Sequence, residues 1–229
     1  GAWLGNMPLG TRLMLGINVG VFVVGGCVPP SWSLSYREAW KHLCISPRVI
    51  YHRPIQVYRI ATSAFTHGGL IHIGFNMLNF VQTGPALERG MGTLRFVHMV
   101  VLLILVLGVL YLSLAAAALF FSEPRFFNEC AVGFSGVLFA LLSIEAYSAP
   151  PGTVMNVFGN QIPAKWYPWA QLLLCQLLIP NASILGHLVG ILGGFLYQQG
   201  SLRMVMLSPS MARTLEDTIP LPSPTSFVP

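Results

Sequence analysis

Long apolar stretches separated by short polar segments dominate the pattern of this chain. A helix that crosses a bilayer needs about 20 mostly apolar residues, and six stretches approach that length. They are residues 11–29, 69–87, 96–121, 131–148, 166–180 and 183–199. The third is the clearest, since a long apolar run without any charge follows His98. The pattern predicts an all-α, polytopic membrane protein with six spanning helices.

The remaining segments are more polar. Residues 30–66 form a long, amphipathic first loop, which we expect to be partly helical at the membrane surface. Residues 201–229 are rich in Ser and Pro and predict a disordered tail. The absence of an internal repeat leaves one domain over residues 1–200. No cleavable signal pattern is clear, so the first stretch is expected to remain as a span.

Composition supports a membrane protein. The 229 residues are 54% hydrophobic and only 8% charged, whereas a soluble domain has about 25% charged residues. The net charge of +5 includes no basic run with interleaved aromatics, which argues against a nucleic-acid partner. The predicted spans place six Lys or Arg residues on each side of the membrane, so basic residues do not give the orientation.

Four scattered cysteines lack any CxxC pair. Their spacing predicts neither a disulfide framework nor a zinc site. Cys130 and Cys175 lie in or near apolar stretches, where we expect them to pack as small apolar residues.

Polar residues inside spans are costly and need a reason. Ser135 opens the fourth stretch between Gly133 and Gly136, and His187 lies in the sixth, followed by Gly190 and Gly194. Glycines allow two helices to approach closely. The simplest packing therefore brings Ser135 within reach of His187. A serine hydroxyl becomes a good nucleophile when a histidine accepts its proton.

The second stretch supplies further polar groups. His72 and Asn76 are four residues apart and share one helix face, and both residue types can donate hydrogen bonds to an oxyanion. The one aspartate, Asp217, lies in the tail, so the inventory favours a Ser–His dyad over a triad and excludes a two-aspartate protease. His67 and His72 have poor spacing for zinc, and HExxH is absent. We expect no metal and no cofactor.

Three motifs resemble the rhomboid intramembrane serine proteases: HIGFN at 72–76, GFSG at 133–136 and GHLVGILGG at 186–194. The similarity covers about residues 10–200 and implies a six-transmembrane-helix rhomboid bundle. It implies Ser135 as nucleophile and His187 as general base. It also implies His72, Asn76 and the Ser135 amide as oxyanion donors.

The resemblance also assigns structural residues. They are Gly133, Gly136, Phe139, Gly186, Gly190, Gly194, Arg59 beside Tyr58, and Glu88 beside Arg89. Many rhomboids have Tyr where this chain has Phe139, a change that removes a hydroxyl but keeps a ring.

Other roles remain open for several of these residues. Ser135 could serve helix packing alone, and Asn76 could make only an interhelical hydrogen bond. His67 could contact a loop rather than the site. Glu145, late in the fourth stretch, is read as an interfacial residue.

The sequence CAVGFSGVLFAL is most similar to the endoplasmic-reticulum branch of the family, the rhomboid-related protein 4 type. This implies a multi-pass membrane protein of the endoplasmic reticulum, with the Golgi and plasma membrane as alternatives. The implied function is a serine endopeptidase that cleaves single-span membrane proteins within the lipid bilayer. The alternative is a catalytically silent rhomboid-fold adaptor that binds membrane-protein clients for quality control or trafficking.

Overall fold

The computed structural model of the chain describes residues 6–27, 36–157 and 159–218. The helices are α1 Leu9–Cys27, α2 Tyr36–Leu43, α3 Pro47–His52, α4 Arg59–Phe65, α5 Leu70–Met91, α6 Thr93–Phe120, α7 Pro124–Asn128, α8 Ser135–Ser148, α9 Tyr167–Leu178, α10 Ile184–Gln198 and α11 Pro209–Thr218. Short 3₁₀ helices cover Pro54–Tyr58 and Ala164–Trp166. Strands β1 Val154–Val157 and β2 Asn160–Pro163 form an antiparallel hairpin.

Each of the six predicted spans coincides with a helix: α1, α5, α6, α8, α9 and α10 in chain order. The helical fold class is therefore confirmed, with the β1–β2 hairpin as an unpredicted addition. Among the described residues, α6 alone is long and apolar enough to cross a membrane, and α1, α8 and α10 are shorter apolar helices. Six crossings stay a prediction.

Helices α8 and α10 form the central pair of the bundle. Their first turns meet through Ser135 and His187, and their last turns meet where the Ser148 hydroxyl donates to Gln198 Oε1 at 3.1 Å, so they run parallel. Glycine makes this contact possible, since a Cβ on Gly190 would overlap the Gly136 carbonyl oxygen. The two helices can therefore approach until backbone meets backbone.

The fourth helix begins later than predicted. Residues 131–134 precede the helix, and α8 starts at Ser135. Ala131 instead pairs with Ile45 of the first loop through two backbone hydrogen bonds of 2.9 and 3.0 Å. Hydropathy along the chain does not detect this pairing, because it depends on a segment far away in sequence.

The predicted disordered tail is wrong for residues 209–218, which form α11. Ala212 is buried, and the Glu216 carboxylate accepts a 2.6 Å hydrogen bond from the Leu94 amide in the first turn of α6. A carboxylate at a helix N-terminus is favourable, because the first amides of a helix have no carbonyl partner within it. Residues 201–208 of the predicted tail are also described, as turns in which the Val205 carbonyl lies 2.9 Å from His98 Nε2, and residues 219–229 lie outside the described residues.

The first loop contains helices α2, α3 and α4, as its amphipathic pattern predicted. Its outer surface carries apolar side chains, with Tyr51 and Ile55 exposed to 72% and 85%. Arg59 holds the loop from within: it is 3% exposed, and its guanidinium donates to the carbonyl oxygens of Lys41 at 2.7 Å and Cys44 at 3.0 Å. Part of the predicted loop, residues 30–35 with Trp32, lies outside the described residues, as do residues 28–29 at the end of the predicted first span.

Glu88 of α5 connects the first turns of α1 and α6 through its carboxylate. Its buried carboxylate accepts hydrogen bonds from the amides of Gly10 and Thr11 at 2.7 and 2.6 Å. The hydroxyls of Thr11 and Thr93 also donate to it, each at 2.7 Å. Glu88 therefore caps the N-terminus of α1 from α5. The adjacent Arg89 donates to the Asn6 carbonyl at 3.2 Å.

Candidate active site

A sharp turn places Ser135 at the start of α8. Gly133 has φ +119°, a conformation that residues with a Cβ rarely adopt. Its amide donates to the Ser63 carbonyl at 2.9 Å. The chain thus changes from an extended segment to a helix within two residues, and Ser135 is the first residue of that helix.

Ser135 and His187 are in direct contact. Ser135 Oγ lies 2.9 Å from His187 Nε2, although the two residues are 52 positions apart. His187 is in the first turn of α10 and is 3% exposed. This is the geometry that allows an imidazole to accept a hydroxyl proton.

An aromatic ring stacks on the imidazole of His187. The Phe139 ring lies one turn after Ser135 and stacks on His187, with centroids 4.5 Å apart and planes 29° apart. The other ring nitrogen, His187 Nδ1, is buried and has no hydrogen-bond partner among the described residues. The position of the imidazole therefore depends on its helix and on Phe139, in place of a third hydrogen-bonding residue.

His72 supplies a hydrogen-bond donor next to the turn that carries Ser135. The Gly68 amide donates to His72 Nδ1 at 3.2 Å, so a neutral ring carries its proton on Nε2. A Cβ built on Gly133 would lie 2.6 Å from this Nε2 and 3.7 Å from Ser135 Oγ. The His72 N–H consequently faces the turn that carries the serine, and only glycine fits between them.

Asn76 follows His72 by one turn and is 4% exposed. Its Nδ2 donates to the His72 carbonyl at 2.8 Å, whereas its buried Oδ1 has no hydrogen-bond partner within the described part of the chain. One amide hydrogen is thus engaged within α5, and the second remains for a ligand.

His67 contacts the turn before Ser135. It is fully buried, its Nε2 accepts a 3.4 Å hydrogen bond from the Phe134 amide, and its ring lies edge-on to His72 at 5.1 Å. Burial lowers the pKa of His67 to about 4, with a further lowering from the nearby His72. A neutral His67 can accept the hydrogen bond from the Phe134 amide. A doubly protonated ring cannot accept it, because both ring nitrogens then carry a proton.

A disulfide joins the first loop to the segment before Ser135. Cys44 and Cys130 are bonded, with their Cα atoms 5.4 Å apart, and are 86 positions apart in sequence. The prediction that the cysteines form no disulfide, with Cys130 packing as a small apolar residue, is therefore wrong. No local spacing identifies such a pair, because the fold brings the two residues together. Cys175 is free.

The structure thus brings together Ser135, His187, Phe139 and His72 around the Gly133 turn, with Asn76 one turn further along α5. Among the described residues, no group of three or more His, Cys, Asp or Glu side chains is arranged to hold a metal ion.

Comparison with known proteins decides the family. The Rhomboid domain family model matches residues 54–203. The chain belongs to the rhomboid family. The resemblance carried by the three motifs is thereby confirmed, and the matched residues include all of them. Rhomboids are membrane-embedded proteins, and serine proteases are among them.

Named relatives cover most of this rhomboid chain. Rhomboid-like protein 15 of Arabidopsis thaliana is 39% identical over 220 residues, or 94% of this chain and 52% of that protein. Rhomboid-related protein 4 of Mus musculus is 35% identical over 204 residues, or 89% of this chain and 61% of that protein. Rhomboid-type serine protease 2 of Debaryomyces hansenii is 29% identical over 153 residues, or 64% and 51%. The chain therefore spans about half the length of the curated relatives it matches.

Proposed function

We propose that this rhomboid is an intramembrane serine endopeptidase that cleaves transmembrane segments of single-span membrane proteins. The observation that carries the proposal is the 2.9 Å contact between Ser135 Oγ and His187 Nε2. A serine kept only for helix packing has no need of a buried imidazole at hydrogen-bond distance. Relatives named as rhomboid-type serine proteases support the same reaction class.

In the proposed reaction, His187 accepts the Ser135 proton while Oγ attacks the scissile carbonyl carbon. The tetrahedral oxyanion takes hydrogen bonds from the Ser135 amide, His72 Nε2–H and Asn76 Nδ2. His187 then gives the proton to the leaving amine, which breaks the peptide bond and leaves an acyl-enzyme. Water, deprotonated by His187, releases the second product and restores the serine.

The helical bundle is proposed to lie in the bilayer as six spanning helices. The 12 residues of α9 span about 18 Å at about 1.5 Å per residue, less than the roughly 30 Å hydrocarbon core. Such a short helix is compatible with a locally thinned bilayer. The dyad lies at the first turns of α8 and α10, close to one surface, where water can reach it.

The disulfide favours a compartment for that surface. Disulfides persist in oxidising environments such as the endoplasmic-reticulum lumen and the cell exterior. Cys130 lies five residues before Ser135, so the two share one end of the bundle. The proposed location is the endoplasmic reticulum, with the active site open to the lumen.

The proposed substrates are single-span helices that unwind locally. A helix holds its carbonyl groups in hydrogen bonds, so small or helix-breaking residues near the cleavage site would expose the scissile bond.

Labelling with a fluorophosphonate in detergent or membranes tests the proposal. Wild type is expected to label, and Ser135→Ala and His187→Ala are expected not to. Ser143→Ala is the matched control, because Ser143 is a fully buried serine of the same helix and its hydroxyl has no hydrogen-bond partner in residues 6–27, 36–157 and 159–218. Failure of folded wild type to label, under conditions in which a known rhomboid does, would contradict the proposal and favour the client-binding adaptor.

A further inference from the structure

Helix α11 is fixed to the start of α6 by one strip of its surface. Ala212 is buried, and the Glu216 carboxylate accepts a 2.6 Å hydrogen bond from the Leu94 amide. A Cβ built on Gly92, just before α6, would lie 3.0 Å from Glu216 Oε2. Residues four apart share one side of a helix, so Ala212 and Glu216 form a docked strip, and α11 packs against α6.

A second strip of α11 is apolar and exposed. Met211 and Leu215 are also four residues apart, and they are 55% and 40% exposed. Each directly precedes a residue of the docked strip, so this apolar strip runs beside it along the helix. The bundle therefore leaves half of the apolar surface of α11 without a partner among the described residues.

The turn before α11 exposes further apolar surface. Met204 is 98% exposed, whereas Leu202 and Met206 on either side of it pack against the core. The Val205 carbonyl lies 2.9 Å from His98 Nε2 of α6. The turn is thus attached to the bundle, and Met204 projects from it.

The remaining strip of α11 is polar. Successive residues of a helix are about 100° apart around its axis, which places four exposed residues opposite the docked and apolar strips. They are Ser210, Arg213, Thr214 and Asp217. An apolar strip that faces away from a polar one is typical of a helix that lies in the surface of a membrane.

The position of α11 along α6 identifies the partner of the apolar strip. α6 is long and apolar enough to cross a membrane. Arg95 is in its first turn, whereas residues 99–120 contain no charged residue. These 22 residues span about 33 Å at about 1.5 Å per residue, close to the roughly 30 Å of a hydrocarbon core. The first turn of α6, with α11 docked on it, therefore lies at the level of the lipid headgroups.

We propose that α11 and the Met204 turn form a membrane-surface anchor. Met204, Met211 and Leu215 enter the boundary between headgroups and acyl chains, and the polar strip faces water. The anchor lies at the end of the bundle opposite to the dyad, since α10 runs from its first turn with His187 to Gln198 before the chain reaches it. Its partner is the lipid surface, and the inference does not depend on proteolysis.

The test measures the depth of single fluorescent labels in vesicles. Cys175→Ala removes the thiol that is free among the described residues, and labelling without reducing agent leaves the Cys44–Cys130 disulfide intact. Met204→Cys, Met211→Cys or Thr214→Cys then gives one labelling site. Thr214 is the matched control, because it is an exposed residue of the same helix on the polar strip.

Each labelled protein is reconstituted in phosphatidylcholine vesicles. The quenchers are phosphatidylcholine brominated at successive acyl positions and iodide in the water. An unchanged melting temperature shows that the label has not unfolded the protein. The labels at residues 204 and 211 should lie about 5–10 Å within the boundary of headgroups and acyl chains, and iodide should not reach them. The label at residue 214 should be quenched by iodide and not by brominated lipid.

A further substitution tests the apolar strip itself. Leu215→Gln removes apolar surface next to Met211, so it should move the label at residue 211 towards water. Asp217→Asn changes the polar strip and should leave that label at its depth.

Three results would overturn the inference. Iodide quenching of the label at residue 211 would place the apolar strip in water. Equal quenching of the labels at residues 211 and 214 by brominated lipid would mean that the strips do not orient the helix. Protection of the label at residue 211 from both quenchers would mean that a protein, such as a second copy of this chain, covers the strip.

Discussion

The Phe139 ring stacks on the imidazole of His187, with centroids 4.5 Å apart. Since His187 Nδ1 has no partner among the described residues, this ring is a principal restraint on the orientation of the base. A tyrosine hydroxyl is not required for stacking, which explains how Phe can occupy a position where many rhomboids have Tyr.

The first prediction concerns that ring. Phe139→Ala should lower kcat by about tenfold, corresponding to the loss of an aromatic contact of about 1–1.5 kcal/mol. Phe139→Tyr keeps the ring and should remain within about threefold of wild type. Steady-state kinetics on a transmembrane substrate measure both. Full activity in Phe139→Ala would show that the stack does not orient His187.

The second prediction concerns the contact between α8 and α10. In Gly190→Ala, the added Cβ overlaps the Gly136 carbonyl and would lie 2.7 Å from Phe139 Cβ, so the helices must separate. Serine labelling should fall at least tenfold, and the melting temperature should drop. Gly16→Ala is the control: its Cβ meets no atom within 4 Å, and helix propensity favours Ala over Gly by about 1 kcal/mol. Equal behaviour of the two variants would contradict close packing as the basis of the dyad.

The third prediction concerns the disulfide. Cys44→Ala and Cys130→Ala each remove the link across 86 residues and should cost about 2–4 kcal/mol of unfolding free energy. Each should also lower the labelling rate, since the segment before Ser135 loses its covalent attachment to the first loop and keeps only non-covalent contacts such as the Ile45–Ala131 pairing. Cys175→Ala, which removes a thiol that is free among the described residues, should resemble wild type. If a reducing agent leaves the melting temperature and labelling of wild type unchanged, this role is wrong.

The fourth prediction concerns pH. The pKa of His67 falls from an ordinary 6.5 to about 4 in the folded protein because the ring is buried. The unfolded chain therefore binds a proton that the native state does not, so stability is fully present above pH 6.5 and is lost as pH falls towards 4. The melting temperature should decline over that window, and His67→Gln should flatten the decline. If the melting temperature of His67→Gln declines with falling pH as that of wild type does, His67 is not the cause of the decline.

Sequence patterns predicted what local composition encodes. Six apolar stretches gave six helices, and the small residues around Ser135 and His187 indicated that their helices approach closely. The contact partner of Ser135 could be inferred because Gly133 and Gly136 lie beside it in sequence, and because Gly190 and Gly194 follow His187 at helical spacing.

Other features depend on distant contacts and were missed. The start of α8 at Ser135 follows from the pairing of Ala131 with Ile45, and the Cys44–Cys130 disulfide crosses 86 residues. The polar composition of residues 209–218 predicts disorder, yet they form α11, and the Glu216 carboxylate accepts a hydrogen bond from the first turn of α6. Such contacts arise from the assembled fold and leave no periodic signal.

The most direct test of the central claim is cleavage by purified protein in liposomes that also contain a single-span membrane protein. Mass spectrometry of the fragments locates the cut. Wild type and Ser143→Ala should give two fragments that meet within the transmembrane segment, whereas Ser135→Ala and His187→Ala should leave the substrate intact. Two results would contradict the proposal that Ser135 and His187 carry out proteolysis. One is cleavage that persists in Ser135→Ala, and the other is a failure of folded wild type to cleave any single-span protein tested.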